Sequence, residues 1–280
     1  MRILVAGTGF TGSRILTALR RSGHEVIGLN RSGGGDGVMA GDVLAPESLD
    51  GLKTLPPFDL LISTLSGSGQ RDPACYRSIY VDGPRRILDR MAWRNAPQVW
   101  MLGSTGVYGV GDGSWVNETT LTEPVHRTGQ VQVDAEQALQ AACDQTCVLR
   151  LSGLYGPGRT RLIRQALRKR PFLKPDLWAN QIHADDVAAL VQFLVDREAP
   201  PPPLLLVSDE QPTQRKEIFT WIRKEMNLPD GRYDEDHPGR AGADRGNKRV
   251  DSSKMRALGF RLKYPGFREG LGSLLADLNL

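Results

Sequence analysis

The sequence predicts an α/β protein, a doubly wound parallel sheet followed by a smaller α-rich C-terminal cap. Three observations predict it. A glycine turn, Gly7-Thr8-Gly9-Phe10-Thr11-Gly12, lies between an apolar run at residues 2–6 and a segment carrying Ile15, Leu16 and Leu19 at helical spacing. Apolar runs then alternate with helical patterns as far as about residue 155, the mark of strands joined by crossover helices. Beyond that point the alternation loosens into shorter helices and polar stretches.

The first elements carry the most information. Residues 2–6 read as a strand, the helical segment stops at Ser22-Gly23, and residues 25–29 return as a parallel strand. Strand, glycine turn, helix and strand form the βαβ unit of a Rossmann fold. There the first glycine permits a sharp turn, the second lets the backbone approach a diphosphate, and the third lets helix and strand pack closely. Free N–H groups at the helix start face the same place. Gly7, Thr8, Gly9, Phe10, Thr11 and Gly12 are therefore predicted to bind a dinucleotide.

The second strand ends in Asn30-Arg31-Ser32. NAD-selective units place a carboxylate there for the ribose hydroxyls. This chain has none to repel a 2′-phosphate, Arg31 can pair with one, and Ser32 can donate to it. NADP is expected over NAD. The glycines of residues 33–37 read as a flexible loop.

Further elements follow in order. Residues 38–43 predict a third strand, 46–49 a brief helix, 58–65 a buried strand and 75–93 a long helix. Residues 99–104 predict a strand, 134–142 a helix and 147–151 another strand. Helices are expected at 162–167 and at 185–195, the second capped by Asp185 or Asp186. Residues 204–208 are expected to return to the sheet, before helices at 215–226 and 266–278 and a polar stretch at 230–248. This divides the chain into a nucleotide-binding domain, 1–155, and a cap, 156–280. No internal repeat is present.

Composition narrows the function classes. With 280 residues, 40% hydrophobic and 24% charged, the chain has ordinary globular proportions. A net charge of +4 is spread over many arginines, Arg168-Lys169-Arg170 being the densest cluster. That pattern argues against a nucleic-acid partner. No apolar run reaches membrane-spanning length, and the first strand leaves no room for a leader, so a cytoplasmic protein with no membrane partner is expected. Cys75, Cys143 and Cys147 lack metal-site spacing. Cys143 and Cys147, four apart on one predicted helical face, read as buried thiols. No metal site is expected.

Several landmarks together resemble the extended short-chain dehydrogenase/reductases, the nucleotide-sugar epimerase/dehydratase-like group. They are the glycine motif, Gly41-Asp42-Val43, Gly103-Ser104-Thr105-Gly106-Val107-Tyr108-Gly109, and Leu149-Arg150 leading to Leu154-Tyr155-Gly156-Pro157-Gly158-Arg159. Asn180-Gln181-Ile182-His183-Ala184-Asp185-Asp186 and Lys248-Arg249-Val250-Asp251 complete the set. The resemblance implies that Asp42 and Val43 meet the adenine and that Thr64, Leu65 and Ser66 border the ribose. It places Leu151, Gly153 and Leu154 at the nicotinamide and gives Ser104 a hydrogen bond to a substrate oxygen. It also implies a small-molecule substrate and a homodimer, although no exposed apolar stripe marks a dimer contact.

The family's Tyr-x-x-x-Lys pair is missing. Counting back in helical steps from Glu136 puts Gln132 at the lysine position and Thr128 at the tyrosine position. A threonine hydroxyl has no accessible pKa near neutrality, and glutamine brings no positive charge, though Gln132 can still hydrogen-bond the ribose. The chain thus resembles the atypical branch. Tyr108 is the candidate proton donor, with His126 as a second. Arg159 and Asn180 are candidates to face a substrate, and His183 reads as structural. Two functions follow as expectations: an NADP-dependent oxidoreductase acting on a small molecule, or a non-catalytic NADP-binding sensor or scaffold.

Overall fold

A computed structural model describes residues 1–67, 72–168, 172–234 and 246–277. Lys169, Arg170, Leu278 and most of the polar stretch after residue 230 lie outside the described residues.

Seven strands form one sheet: β1 (Arg2–Ala6), β2 (Glu25–Asn30), β3 (Val38–Ala40), β4 (Leu60–Ser63), β5 (Gln98–Ser104), β6 (Gln145–Leu151) and β7 (Leu204–Val207). Their spatial order is β7-β6-β5-β4-β1-β2-β3. In the centre β1 lies parallel to both neighbours, Ile3 standing opposite Val26 on one side and Leu60 on the other. The chain builds outward from β1 in one direction, then returns to build in the other. Such a reversal opens a crevice at the carboxyl ends of the central strands, where ligands of open α/β sheets bind. Ile3, Leu4, Val5 and Ala6 have no exposure at all, which is why the strand reads as a continuous apolar run and not an alternation. Of the expected 204–208, residues Leu204–Val207 return to the sheet, as its edge strand β7.

Helix α1 (Gly12–Arg21) buries Ile15, Leu16 and Leu19 and ends on Arg20 and Arg21, cations suited to the negative end of the helix dipole. The third strand is shorter than residues 38–43. It ends at Ala40 because Asp42 turns the chain, its carboxylate accepting from the Leu44 N–H at 2.9 Å. The brief helix is a 3₁₀ helix, Pro46–Thr54.

The expected helix at 75–93 breaks into α2 (Pro73–Arg77), a π turn (Ser78–Asp82) and α3 (Gly83–Leu88). Pro84 explains the break, since it has no N–H to offer the Tyr80 carbonyl four residues back. The Gly83 N–H reaches to Ser78 instead. Helix α4 (Arg127–Ala142) begins seven residues earlier than the apolar pattern suggests, its first turns being polar on the outer side. Cys143 closes α4 and Cys147 lies in β6, so the two do not share a helical face; both are buried and free.

The chain folds as two compact units that interleave, in place of a single division near residue 155. Met1–Val107, His126–Arg150 and Val187–Leu205 form the first; Tyr108–Val125, Leu151–Asp186 and Leu206–Leu280 form the second. The first is built on a core that includes Leu4, Leu29, Phe58, Leu61, Val99 and Leu139. The second packs Ile163, Ile218, Phe219, Ile222, Phe267 and Leu271 together. Small two-stranded sheets, such as Gln181–His183 beside Gly153–Tyr155, fix its loops.

Neither Asp185 nor Asp186 caps the helix that follows. That helix starts at Ala184. The His183 ring does the capping, its Nδ1 accepting from the Asp185 N–H at 3.2 Å. Asp186 is turned instead to the Lys263 and Tyr264 N–H groups, at 2.7 and 3.0 Å.

Candidate nucleotide-binding site

The glycine turn leaves the carboxyl end of β1 and enters α1 with almost no space to spare. Gly7 has φ +98°, and a Cβ there would stand 2.8 Å from the Thr64 carbonyl oxygen. A Cβ on Gly12 would collide with the Gly7 carbonyl. Gly9 is different: a Cβ on it would meet nothing within 4 Å. Two glycines are thus required by the fold, and the third opens onto empty space. A diphosphate lying against the turn would fill that space, so the cradle fits a dinucleotide. Thr64 ties the turn to β4 by donating to the Gly7 carbonyl. Phe10 and Thr11 hold α1, their carbonyls accepting from the Arg14 side chain and the Ile15 N–H.

Beside the turn is a cavity of about 330 Å³. Gly7, Thr8 and Gly9 form one wall; Asn30, Arg31 and Ser32 another; Asp42, Val43, Thr64, Leu65 and Ser66 the rest. Almost every residue assigned from sequence to the adenosine half is therefore gathered in one place. Asn30 organises the rim. Its amide donates to Thr8 Oγ1 at 2.6 Å and its oxygen accepts from the Ser32 N–H at 3.0 Å. Arg31 is exposed at this rim, and its guanidinium makes no ion pair with any described residue.

The remaining candidates divide. Ser104 ends β5, half-buried, its Oγ accepting from the Gly106 N–H at 3.0 Å; the hydroxyl proton is still available. Gln132 lies on α4 with 5% exposure, and its Oε1 has no hydrogen-bond partner among the described residues. Thr128 is exposed in the first turn of the same helix. Tyr108 is withdrawn as a proton donor. It is 1% exposed and its hydroxyl donates to the Asn117 carbonyl at 3.0 Å, so the phenol is spent on holding a loop. His126 precedes α4 and is exposed. Asn180 is also structural, its amide bridging Lys248 and Val250 backbone groups at 2.8 Å each.

Leu151, Gly153 and Leu154 fall in the second unit's segment, except that Leu151 also closes β6. There a Cβ on Gly153 would stand 2.8 Å from the Asn180 carbonyl oxygen, so the backbone leaves little room for a side chain. Arg159 is exposed in a turn of that unit. His183 is buried between the rings of Tyr155 and Tyr264, with centroids 5.1 and 4.1 Å away, which accords with a structural imidazole.

One pair escapes a sequence reading centred on family motifs. Tyr76 and Tyr80 stand one helical turn apart, and their rings are tilted together with centroids 4.6 Å apart. The i, i+4 spacing of two tyrosines was the signal.

Comparison with known proteins agrees with this geometry. The model of the NAD-dependent epimerase/dehydratase family matches residues 3–204. The chain belongs to that family. Its fold matches a proposed NAD-dependent epimerase/dehydratase from Methylobacillus flagellatus with 32% identity and TM-score 0.83, over 100% of this chain and 99% of that one. A conserved protein of unknown function from Silicibacter pomeroyi DSS shares 26% identity with TM-score 0.69, over 99% and 98% of the two chains. A UDP-glucuronic acid 4-epimerase from Bacillus cereus, solved with NAD, shares the fold at 18% identity and TM-score 0.77, covering 97% and 94%. No curated protein matches the chain.

Proposed function

We propose that the chain is an NADP-dependent oxidoreductase of the atypical extended short-chain type, acting on a small carbonyl or alcohol. The observation that carries this reading is the cradle at Gly9 opening beside a rim where Asn30 stands in place of a carboxylate and Arg31 has no ion-pair partner among the described residues. Gly7, Thr8, Gly9 and Gly12 would hold the diphosphate, Asp42 and Val43 the adenine, and Thr64, Leu65 and Ser66 the adjoining ribose. Arg31 and Ser32 would receive a 2′-phosphate. The bound nucleotide supplies hydride chemistry; the chain supplies orientation, water exclusion and a proton. Ser104, at the end of β5, keeps a hydroxyl proton for a substrate oxygen.

Calorimetric titration of the pure chain with NADP⁺, NADPH, NAD⁺ and NADH tests this. NADP(H) should bind more tightly than NAD(H), and Arg31→Ala should remove the difference. A charge-assisted hydrogen bond is worth about 1.5–3 kcal/mol, so the loss is about tenfold or more. Equal affinity for the two nucleotides in the unaltered chain would sink the NADP assignment.

A second reading, a non-catalytic NADP-binding sensor or scaffold, is favoured by one observation: the buried, engaged phenol of Tyr108. Single-turnover assay of bound NADPH against a carbonyl panel separates the two. Oxidation of the nucleotide supports the enzyme; tight, inert binding supports the sensor.

A further inference from the structure

We propose that Tyr76, its ring paired with that of Tyr80, is the phenolic proton donor of this chain, in place of the absent family tyrosine. The inference rests on the oxidoreductase reading above and adds to it the group that moves the proton.

Four observations place the site. Pro84 forces the π turn Ser78–Asp82, and this turn packs against α4; π turns of this kind recur at functional sites. Gly67, in the loop leaving β4, makes room for both rings. A Cβ there would stand 2.6 Å from Tyr76 and 3.3 Å from Tyr80, so a side chain would exclude them. The rings therefore sit at the carboxyl end of the sheet, where the chain emerges from β4. Both are half-buried, open enough to meet a ligand.

Gln132 supplies the link to the nucleotide. The Gln132 side chain lies close enough to the Tyr76 hydroxyl to favour its ionised form, and its Oε1 is buried with no partner among the described residues. An orphaned, buried amide oxygen costs about 1–3 kcal/mol unless something donates to it. A ribose hydroxyl would. Gln132 is thus a positioning residue that joins phenol and nucleotide, as a lysine would, but without a charge.

The missing charge decides the direction of proton transfer. Burial and the neighbouring Tyr80 push the Tyr76 phenol up to about 12, and the nearby Gln132 side chain offsets this only in part. Such a phenol keeps its proton at neutral pH. It is a poor base toward an alcohol but gives a proton readily to a forming alkoxide. In the reductive direction the two electrons come from the reduced dinucleotide. A C–H bond forms at the carbonyl carbon and the C=O π pair moves onto oxygen. That oxygen takes the proton from Tyr76 Oη, and solvent reprotonates the phenolate. The protonated phenol is the form that the reductive step needs.

The experiment uses the full chain with NADPH, and phenanthrenequinone as the carbonyl probe. Tyr76→Phe keeps the packing at Gly67 and should leave NADPH affinity within about twofold. It should lower the single-turnover rate by about a hundredfold, the usual worth of a positioned acid. A rate equal to that of the unaltered chain overturns the proposal.

Tyrosine absorbance gives a second readout that needs no turnover. NADPH binding should perturb a tyrosine signal that is lost in Tyr76→Phe. Gln132→Lys, which sets a cation beside the phenol, should bring tyrosinate formation to lower pH. If the unaltered chain binds NADPH but never oxidises it, the oxidoreductase reading fails, and this spectrum decides the placement. A Tyr76-dependent signal then still supports the site, and its absence overturns it.

Discussion

At the scale of single residues, the glycine turn separates folding from binding. Gly7 and Gly12 are surrounded by backbone, whereas Gly9 faces open space. Gly12→Ala should therefore destabilise the fold, by at least the 1–3 kcal/mol or so typical of overpacking, and lower the thermal midpoint by about 2–4 °C per kcal/mol. Gly9→Ala should leave the melting temperature unchanged and weaken NADPH about tenfold, because its methyl occupies the space meant for the diphosphate. Calorimetry and thermal denaturation of both variants check the contrast. Should Gly9→Ala bind as tightly as the unaltered chain, the diphosphate does not lie there. Asn30 acts at the same scale: it spends both ends of its amide on Thr8 and Ser32, which is how a neutral residue keeps the rim ordered.

At the scale of elements, α4 and β6 are joined by a buried ion pair. Arg150 donates to both carboxylate oxygens of Glu136, at 3.0 and 2.6 Å, with each side chain more than nine-tenths buried. The pair lies under Gly103, whose Cβ would stand 3.2 Å from Glu136 Oε1, so it supports the strand end that carries Ser104. Removing one partner strands a charge in the core. Arg150→Met should cost about 3–5 kcal/mol, and adding Glu136→Gln should recover much of it. Urea denaturation of the single and double variants measures this; a double variant no more stable than the single would contradict the account. The π turn is an element-scale feature too. One proline divides a helix that apolar spacing alone would draw as continuous.

At the scale of the whole molecule, each unit carries its own core, and the second buries the carboxyls of Asp186 and Asp209. Asp209 is 1% exposed. Burial raises its carboxyl well above 3.8, the nearby Glu210 and Glu269 push the same way, and the Gln181 and Gln211 N–H groups oppose them only in part. A carboxyl raised by folding contributes stability that is complete below its unfolded pKa and is lost as pH climbs through its folded pKa. Stability should fall as pH rises above about 4. Asp209→Asn should melt higher than the unaltered chain near pH 8, with the gap closing toward pH 4. A gap that stays constant across that range would show that Asp209 does not titrate with folding. Among the described residues no helix is long and apolar enough to cross a membrane, and no group of His, Cys, Asp or Glu is placed to hold a metal ion.

The sequence by itself determined the fold class, the succession of the first strands and helices along the chain, and most of the residues that line the cavity beside the glycine turn. These depend on local signals: glycines at fixed spacing, apolar runs, and the residues that end β2. Only tertiary structure showed which phenols are engaged and which are open. Tyr108 looked available because it follows Ser104 in the chain, yet burial and the Asn117 carbonyl remove it. The Tyr76 ring looked ordinary until a proline-driven π turn and a side-chain-free Gly67 set it beside Gln132. The capping of the helix at Ala184 went the same way, since Asp186 is claimed by the distant Lys263 and Tyr264 backbone. Periodicity and turn chemistry act between near neighbours in the chain. Which polar group meets which depends on contacts between residues far apart in it.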